Sequence, residues 1–472
     1  MKMRLGGQES NYDSRKNRGS LVNMIAEVNK DGSYRSAKKL EGLTKYLDLD
    51  TGPVRSEPFV NSGYIYVVSG QTLYKVDATP TATALGSVGG GTKRCVLLAN
   101  AVPGDNQIMI LNGAGQGYIY TALTGLRLIT DADFFPTVSG TILDERFWLI
   151  RQGTNEFFGS DISNGLSYDP LTFASAEESP DDAVAVIAKK STLWVLNAET
   201  SEYWQTFNND TLPLRRVKGA TEERGIVAVH SLAESGNSFC FLASDRTVRM
   251  VTGAQMETIS DLEIELRIKG NGTPRYPGFT KIDDAIGFFI DGPVHKTYYL
   301  MFPSEGYVWG YDLETRVSHI RTSENEDTWR INGSTTFDNK LIGGDAFAGS
   351  LWVIDPAAKD EGGEIMRATL RTPTISFDND VSVQLIEIDM ETGTTTDPDA
   401  NPLMMVRYTK DGETYKNHST ISLGLMGNKQ TRIPLRLFGR VVRHTDFGLE
   451  LEVTDSENVR FYGAEIKMEG GF

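Results

Sequence analysis

The chain has little of what secreted, membrane-inserted or catalytic proteins usually show. Its 472 residues include two cysteines, Cys95 and Cys240, 145 positions apart. Two thiols are too few for a disulfide framework or a structural zinc site, and they are expected as buried free thiols. No apolar run approaches the roughly 18 residues that a membrane helix needs. The first twenty residues are basic in places but hold no apolar h-region, so a cytosolic product is expected rather than one exported by the usual route. Positive charge is also short: 47 Lys and Arg stand against 63 Asp and Glu, a formal charge of −16. That disfavours a general DNA wrapper or a binder of anionic membranes. Transient contact stays open, because a negative wall lets a duplex slide without sticking.

Catalytic signatures are missing too. The five histidines, His230, His295, His319, His418 and His444, fall in no metal-ligand spacing. No G-x-S-x-G elbow occurs. "GSVGGGTKR" (86–94) fails as a phosphate loop, because Gly91 is followed by Thr92 and then Lys93 instead of Gly-Lys-Ser/Thr. "GAGQG" (113–117) reads as a hairpin tip. "SDISNGLSY" (160–168) and "SENEDTW" (323–329) echo a sialidase turn but miss its spacing. The expectation is therefore no catalytic residue, no cofactor and no metal. The alternative is a β-propeller glycan hydrolase, or a glycan-binding protein acting on a host surface. Helical signals are nearly absent; "NDTLPLRRVKGATEERG" (209–225) is the least strand-like stretch and has room for one turn.

What the sequence does have is a repeat. "GYIYVVSGQTLYKVD" (63–77) joins two period-two runs by a turn, and similar hairpins recur along the chain. Taking Tyr64, Ile108, Phe147, Leu193, Phe239, Tyr298 and Leu341 as equivalent gives steps of 44, 39, 46, 46, 59 and 43 residues. Such steps match a four-stranded propeller blade, roughly 40 to 50 residues. The long step contains "GNGTPRYPG" (270–278), read as a loop insertion. An all-β fold follows: a β-propeller of six or seven blades over 35–357, with each hairpin the inner part of one blade. Trp148, Trp194, Trp309 and Trp352 are expected between blades. A pair of β-sandwiches is the competing architecture.

Residues 1–34 read as an N-terminal arm and lead-in, and 358–472 as a C-terminal antiparallel β-sandwich-like domain beyond the linker "DPAAKDEGGE" (355–364). In that domain "LMMVRYTKDGETYKN" (403–417) reads as a hairpin turning at Asp411-Gly412. "RIPLRLFGRVVRHTDFGLELEVTD" (432–455) reads as another, which sets Arg440 opposite Glu450. Arg432, Arg436 and Arg440 share one strand face and, with Arg15, Lys16 and Arg18 of the arm, are the candidate interface residues.

Several stretches in order resemble a known family: "GSLVNMIAE" (19–27), "LEGLTKYLD" (40–48), the 63–77 hairpin, and the block from "RQGTNEFFGSD" to "SEYWQTF" (151–207). "LPLRRVKGATEERGIVAVHS" (212–231), "RYTKDGETYKN" (407–417) and the run from "LRLFGRVVRHTDFG" to "RFYGAEI" (435–466) complete the set. Together they resemble the packaged-DNA stabilisation proteins of short-tailed bacteriophages, also called tail hub or nozzle proteins. The resemblance covers nearly the whole chain, and departures fall in loops such as 270–278. It implies a non-enzymatic virion component assembled in the host bacterial cytoplasm as a homo-oligomeric, hexameric ring below portal and adaptor proteins. Such a ring prolongs the DNA channel, retains the genome with a needle or plug protein, lets double-stranded DNA pass during ejection, and holds tailspikes or tail fibres.

Overall fold

The computed structural model describes residues 2–3, 19–29, 33–49, 51–176, 179–207, 212–217, 219, 221–270, 277–324, 328–395, 397–429 and 432–470. All seven repeat positions land in strands of one kind. Tyr64–Ser69, Ile108–Leu111, Arg146–Ile150, Thr192–Asn197, Ser238–Leu242, Lys296–Phe302 and Lys340–Asp345 are the second strands of seven successive four-stranded antiparallel sheets. The blades span 59–87, 96–128, 140–175, 183–216, 233–258, 286–320 and 331–355. The count is seven. Each hairpin is the middle pair of its blade, and a shorter strand such as Phe59–Asn61 or Ala233–Ser235 lies inside it. Most of these first strands meet those of neighbouring blades, as strands around an axis do.

Period two explains how blades stick. In Tyr64–Ser69, Ile65 and Val67 pack with Ile342 and Leu351 of blade seven. Tyr66 and Val68 pack with Ile108 and Ile110 of blade two. One strand thus feeds two interfaces, and the pattern repeats until seven apolar clusters close the circle. The four expected tryptophans all lie in these clusters: Trp148 between blades three and four, Trp194 next, Trp309 between five and six, Trp352 between six and seven. Fully burying one such aliphatic side chain is worth about 1.5–3 kcal/mol, so each cluster is a substantial bond. The ring is locked by sequence-distant pairing. Gly42–Asp48 forms the fourth strand of blade seven, antiparallel to Ser350–Asp355. That leaves the ring without a free end.

The remaining strands build a sandwich over one core. One sheet orders Met24–Val28, Tyr34–Lys39, Arg460–Gly470, Val381–Met390 and Arg432–Val441. The other contains Ser20–Val22, Ala368–Arg371, Asp446–Val453, Leu403–Thr409 and Lys416–Ser422. Residues 20–39 are therefore sandwich strands, and Leu21, Met24, Ala26 and Ala37 reach its core. The 403–417 hairpin forms with Gly412 at φ 77°. The run 432–455 is not a hairpin. Arg432–Val441 pairs with Val381–Met390 in one sheet, while Asp446–Val453 pairs with Ala368–Arg371 and Leu403–Thr409 in the other. Both strands point alternate apolar residues at one core from opposite sides, which a flat hairpin cannot do. Arg440 consequently faces Asp380, and Glu450 faces Arg371 and Arg407.

Propeller and sandwich share a sheet. Val22 pairs in parallel with Ile320 of blade six, so a ten-stranded sheet runs from that blade into the sandwich. Buried Asn23, at φ 52°, sits beside the join. Its amide nitrogen donates to Thr322 O at 3.1 Å and Arg367 O at 2.8 Å, and its oxygen accepts from Thr322 N at 3.1 Å. The long step between blades five and six holds a helix, Leu262–Ile268, that the sequence reading did not foresee. Asp261 caps it by accepting from Glu263 N and Ile264 N, and Ile264 and Ile268 pack into the interface with blade six.

Candidate functional site

At the propeller axis, loops entering three blades each deliver one polar side chain. Glu57 precedes the first strand of blade one, Arg94 that of blade two, and His230 that of blade five. Glu57 lies against Gly333 of blade seven and accepts from Ser334 N at 3.4 Å. Water reaches Glu57, yet strands wall it in. That enclosure, only partly offset by Arg94, pushes its carboxyl up to about 7. Burial, then the Arg94 charge, pushes the His230 imidazole down to about 3, so it is neutral at physiological pH. Arg94 Nη1 is buried without a hydrogen-bond partner among the described residues. The Arg94 charge acts on both Glu57 and His230, so the three form one mixed-charge group. Among the described residues no His, Cys, Asp and Glu group could hold a metal ion.

Both cysteines are buried free thiols. Burial pushes Cys95 up to about 11 and raises Cys240 well above the usual thiol range, so neither is a thiolate nucleophile.

Of the candidate interface residues, Arg15, Lys16 and Arg18 lie outside the described residues. Arg432, Arg436 and Arg440 are all exposed on the outer side of the sandwich's edge strand. They do not keep a simple two-residue period. Strict alternation would send Ile433, Leu435 and Leu437 inward, but the ladder slips between Val383 and Leu385. Leu437 takes φ 73°, turns outward, and Phe438 takes the inward place. An aromatic cage rewards that exchange: Phe438 stacks on His418 at 4.4 Å and meets Tyr408 and Phe447 edge-on. Gly439, also at positive φ, was the available signal for the bulge.

Arg432 lies 3.8 Å from Glu387 and 3.6 Å from Glu465, and Arg440 pairs with Asp380. The side between the two sheets is stitched. His418 Nε2 bonds to Arg436 O at 2.7 Å, and Lys410 Nζ donates to Arg440 O at 2.7 Å. These bonds occupy carbonyls that an edge strand would otherwise offer to another chain.

On the opposite face of the second sheet, Glu450 and Glu452 are buried beneath arginines. Glu450 accepts from Arg371 at 2.5 Å and from Arg407 at 2.7 Å, and Arg407 also reaches Glu452 at 3.2 Å. Such a network depends on every partner being present. It is structural chemistry, with no open position for a substrate.

Comparison with known proteins agrees with this architecture from end to end. The sequence model described as "Bacteriophage P22 Gp10, beta-propeller" matches residues 7–358, and the one described as "Bacteriophage P22 Gp10, beta-sandwich" matches residues 367–469. No curated protein matches the chain. Among solved structures, the chain is similar to a streptogramin B lyase at 10% identity and TM-score 0.45, over 66% of this chain and 96% of that one. It is also similar to the computationally designed Ika8 protein at 12% identity and TM-score 0.39, over 66% and 98%. The chain belongs to the bacteriophage P22 Gp10 family, the packaged-DNA stabilisation proteins. It is a structural protein of a phage tail and not an enzyme, so the hydrolase alternative falls.

Proposed function

We propose that this Gp10-family chain is the hub, or nozzle, of a short phage tail. Six copies form a ring below portal and adaptor proteins, extend the DNA channel, retain the genome together with a needle or plug protein, and carry tailspikes or fibres. Assembly follows DNA packaging in the host cytoplasm. The observation that carries this reading is the shared sheet: blade six passes by hydrogen bonding into the sandwich, while strand Gly42–Asp48 locks the propeller. A load applied to one unit is thereby borne by backbone ladders instead of a flexible linker. Rigidity is the function, because compressed DNA pushes outward on whatever seals the channel.

The duplex runs along the axis of the ring, between copies, and not through a propeller. A chain with 16 more acidic than basic residues suits that passage, since phosphates are repelled by it. The candidate residues Arg15, Lys16, Arg18, Arg432, Arg436 and Arg440 serve contacts with neighbours. The test is assembly: purified chain added to adaptor-bearing particles should dock as six copies and reduce DNA leakage. A chain that stays off such particles, or docks as a single copy, rules the hub out.

A further inference from the structure

The sandwich sheet that holds Arg460–Gly470 is completed by a strand from the beginning of the chain. Lys2–Met3 pairs antiparallel with it, Lys2 opposite Glu465 and Met3 opposite Ala464. On its other side Arg460–Gly470 is laddered to Val381–Met390 at nine positions, from Phe461 to Gly470. On the side of Lys2–Met3 the cover is pieced together. Tyr34–Lys39 pairs with Arg460 and Phe461, and Lys2–Met3 with Ala464 and Glu465. No described strand pairs on that side with Lys467, Met468 or Glu469. From Met3 the chain runs through residues 4–18, outside the described residues, and re-enters the fold at Gly19, beside Arg371 and Pro373. There it begins the strand Ser20–Val22, which pairs with Ala368–Arg371 in the other sheet.

We infer that in the ring this strand is exchanged, so that Lys2–Met3 of one copy pairs with Arg460–Gly470 of the next. The occupant of the edge is seen in the fold, and exchange changes only which copy supplies it. Every ladder bond is kept, which makes such a swap a low-cost way to join identical chains. The hold at home is slight. Gly42–Asp48, another strand brought in from far along the sequence, pairs at six positions and locks blade seven. Lys2–Met3 pairs at two. The few hydrogen bonds of so short a ladder are offset by the entropy lost in ordering the segment. The tether is also long enough. Residues 4–18 number 15 and span at most about 50 Å, against a radius of gyration of about 14 Å for a domain of the sandwich's size. A neighbouring edge is therefore within reach, and a ring keeps it at high effective concentration. Each copy gives one strand and receives one, a head-to-tail tie that closes as the ring closes. This rests on the hub reading and adds a backbone tie between its copies.

Cysteine pairing tests it, because Cys95 and Cys240 are buried free thiols. Chains carrying Lys2→Cys alone and Glu465→Cys alone are mixed, assembled into tails and oxidised, beside chains carrying both substitutions. Exchange gives cross-linked dimers in the mixture, and bands rising to the full ring from the double variant in tails. The isolated double variant closes within one chain instead, as the register of Lys2 with Glu465 requires. A mixture without cross-links, while the double variant in tails runs as a bridged monomer, overturns the inference, since the strand then stays at home. A double variant that bridges neither alone nor in tails overturns it too, since the strand then leaves the edge. Unsubstituted chain that forms no ring on adaptor-bearing particles defeats the hub reading, and the exchange falls with it. A ring without bridges between copies defeats the exchange alone. A second readout uses no cysteine: Lys2→Pro with Met3→Pro removes the strand's amide donors. The melting temperature of the isolated chain is expected to hold, while the ring weakens about tenfold. A lower melting temperature with an unchanged ring means that the strand serves its own copy, and the inference fails.

Discussion

The propeller and the sandwich are both antiparallel β-structures, but they are assembled in opposite ways. In the propeller nearly every ladder joins neighbours in sequence, and one strand, Gly42–Asp48, closes the circle from far away. In the sandwich only the hairpins 24–39 and 403–422 are local, and every other ladder among the described residues is distant. Residues 20–39 and 368–470 interleave, so that Arg460–Gly470 lies between Tyr34–Lys39 and Val381–Met390. Local ladders cost little loop closure, and distant ones cost more. One unit can grow blade by blade, whereas the other waits for both ends of the chain.

The most severe way to break the comparison is to cut the chain. A fragment of residues 366–470 lacks the strands that supply Leu21, Met24, Ala26 and Ala37 to the core. It is expected to stay unfolded by circular dichroism and amide exchange, and to fold when residues 19–40 are fused to it by a linker. A fragment of residues 41–358 keeps all seven blades with the locking strand and should fold alone. If the sandwich fragment folds unaided while the propeller fragment does not, the contrast is reversed.

Next in size is the removal of one buried charge. Glu450→Ala leaves Arg371 and Arg407 without their main acceptor. The loss is expected to be about 1–3 kcal/mol, because the arginines left behind are 41% and 32% exposed and water solvates them in part. Calorimetry also reads the coupling. If the shared sheet makes one cooperative unit, the whole transition moves down; if only a minor transition moves, the two units unfold separately.

The same contrast governs what the residues disclosed in advance. A propeller is legible because its signal is periodic: period two within strands, and 39 to 59 residues between equivalent hairpins. Seven landmarks chosen from sequence all fell in second strands. The sandwich shows strands but not partners. Alternation in 432–441 and 446–453 says only that each has one dry face, and two strands facing a core from opposite sheets read like a hairpin. Hence Arg440 and Glu450 were set opposite each other, although they pair with Asp380 and with Arg371 and Arg407. Helix Leu262–Ile268 is seven residues long, too short for periodicity to register. The outward turn of Leu437 depends on Phe438 finding its aromatic cage from another sheet, a tertiary fact.

A smaller and graded effect comes from acid. His319, between blade six and the sandwich-bearing edge, is buried with Tyr299 Oη at 2.8 Å from its Nε2. Burial first, then the Arg321 charge, holds its imidazole down to about 3. The unfolded chain binds that proton near pH 6.5 and the folded chain does not. Stability from this group is therefore full above about pH 6.5 and declines as pH falls toward 3, by about 1.4 kcal/mol per pH unit. His319→Gln should flatten the acid limb of a stability–pH curve by one proton's slope, whatever it does to stability at pH 7.5. An unchanged slope means that His319 is not the group being titrated. His295 works the other way: burial pushes it down, but the Asp312 hydrogen bond and charge, with Glu41, together raise it, so its contribution is full below about pH 6.5 and lost as pH climbs past its raised value.

The smallest effect is also the one that separates folding from assembly. Leu437 stands at φ 73° with its side chain in water, whereas Ile433 of the same strand is buried in the sandwich core. Left-handed backbone costs a non-glycine residue about 1–2 kcal/mol, and glycine returns about 0.5–1 kcal/mol of that as unfolded-chain entropy. Leu437→Gly is thus expected to leave stability unchanged or raise it by less than about 1 kcal/mol in urea titration. Ile433→Gly should lower it by several times as much, because a fully buried aliphatic side chain is lost. If Leu437→Gly destabilises the isolated chain as strongly as Ile433→Gly does, the leucine is a fold residue. If it leaves the fold intact and weakens ring assembly, a strained and exposed leucine has its explanation at the surface between copies.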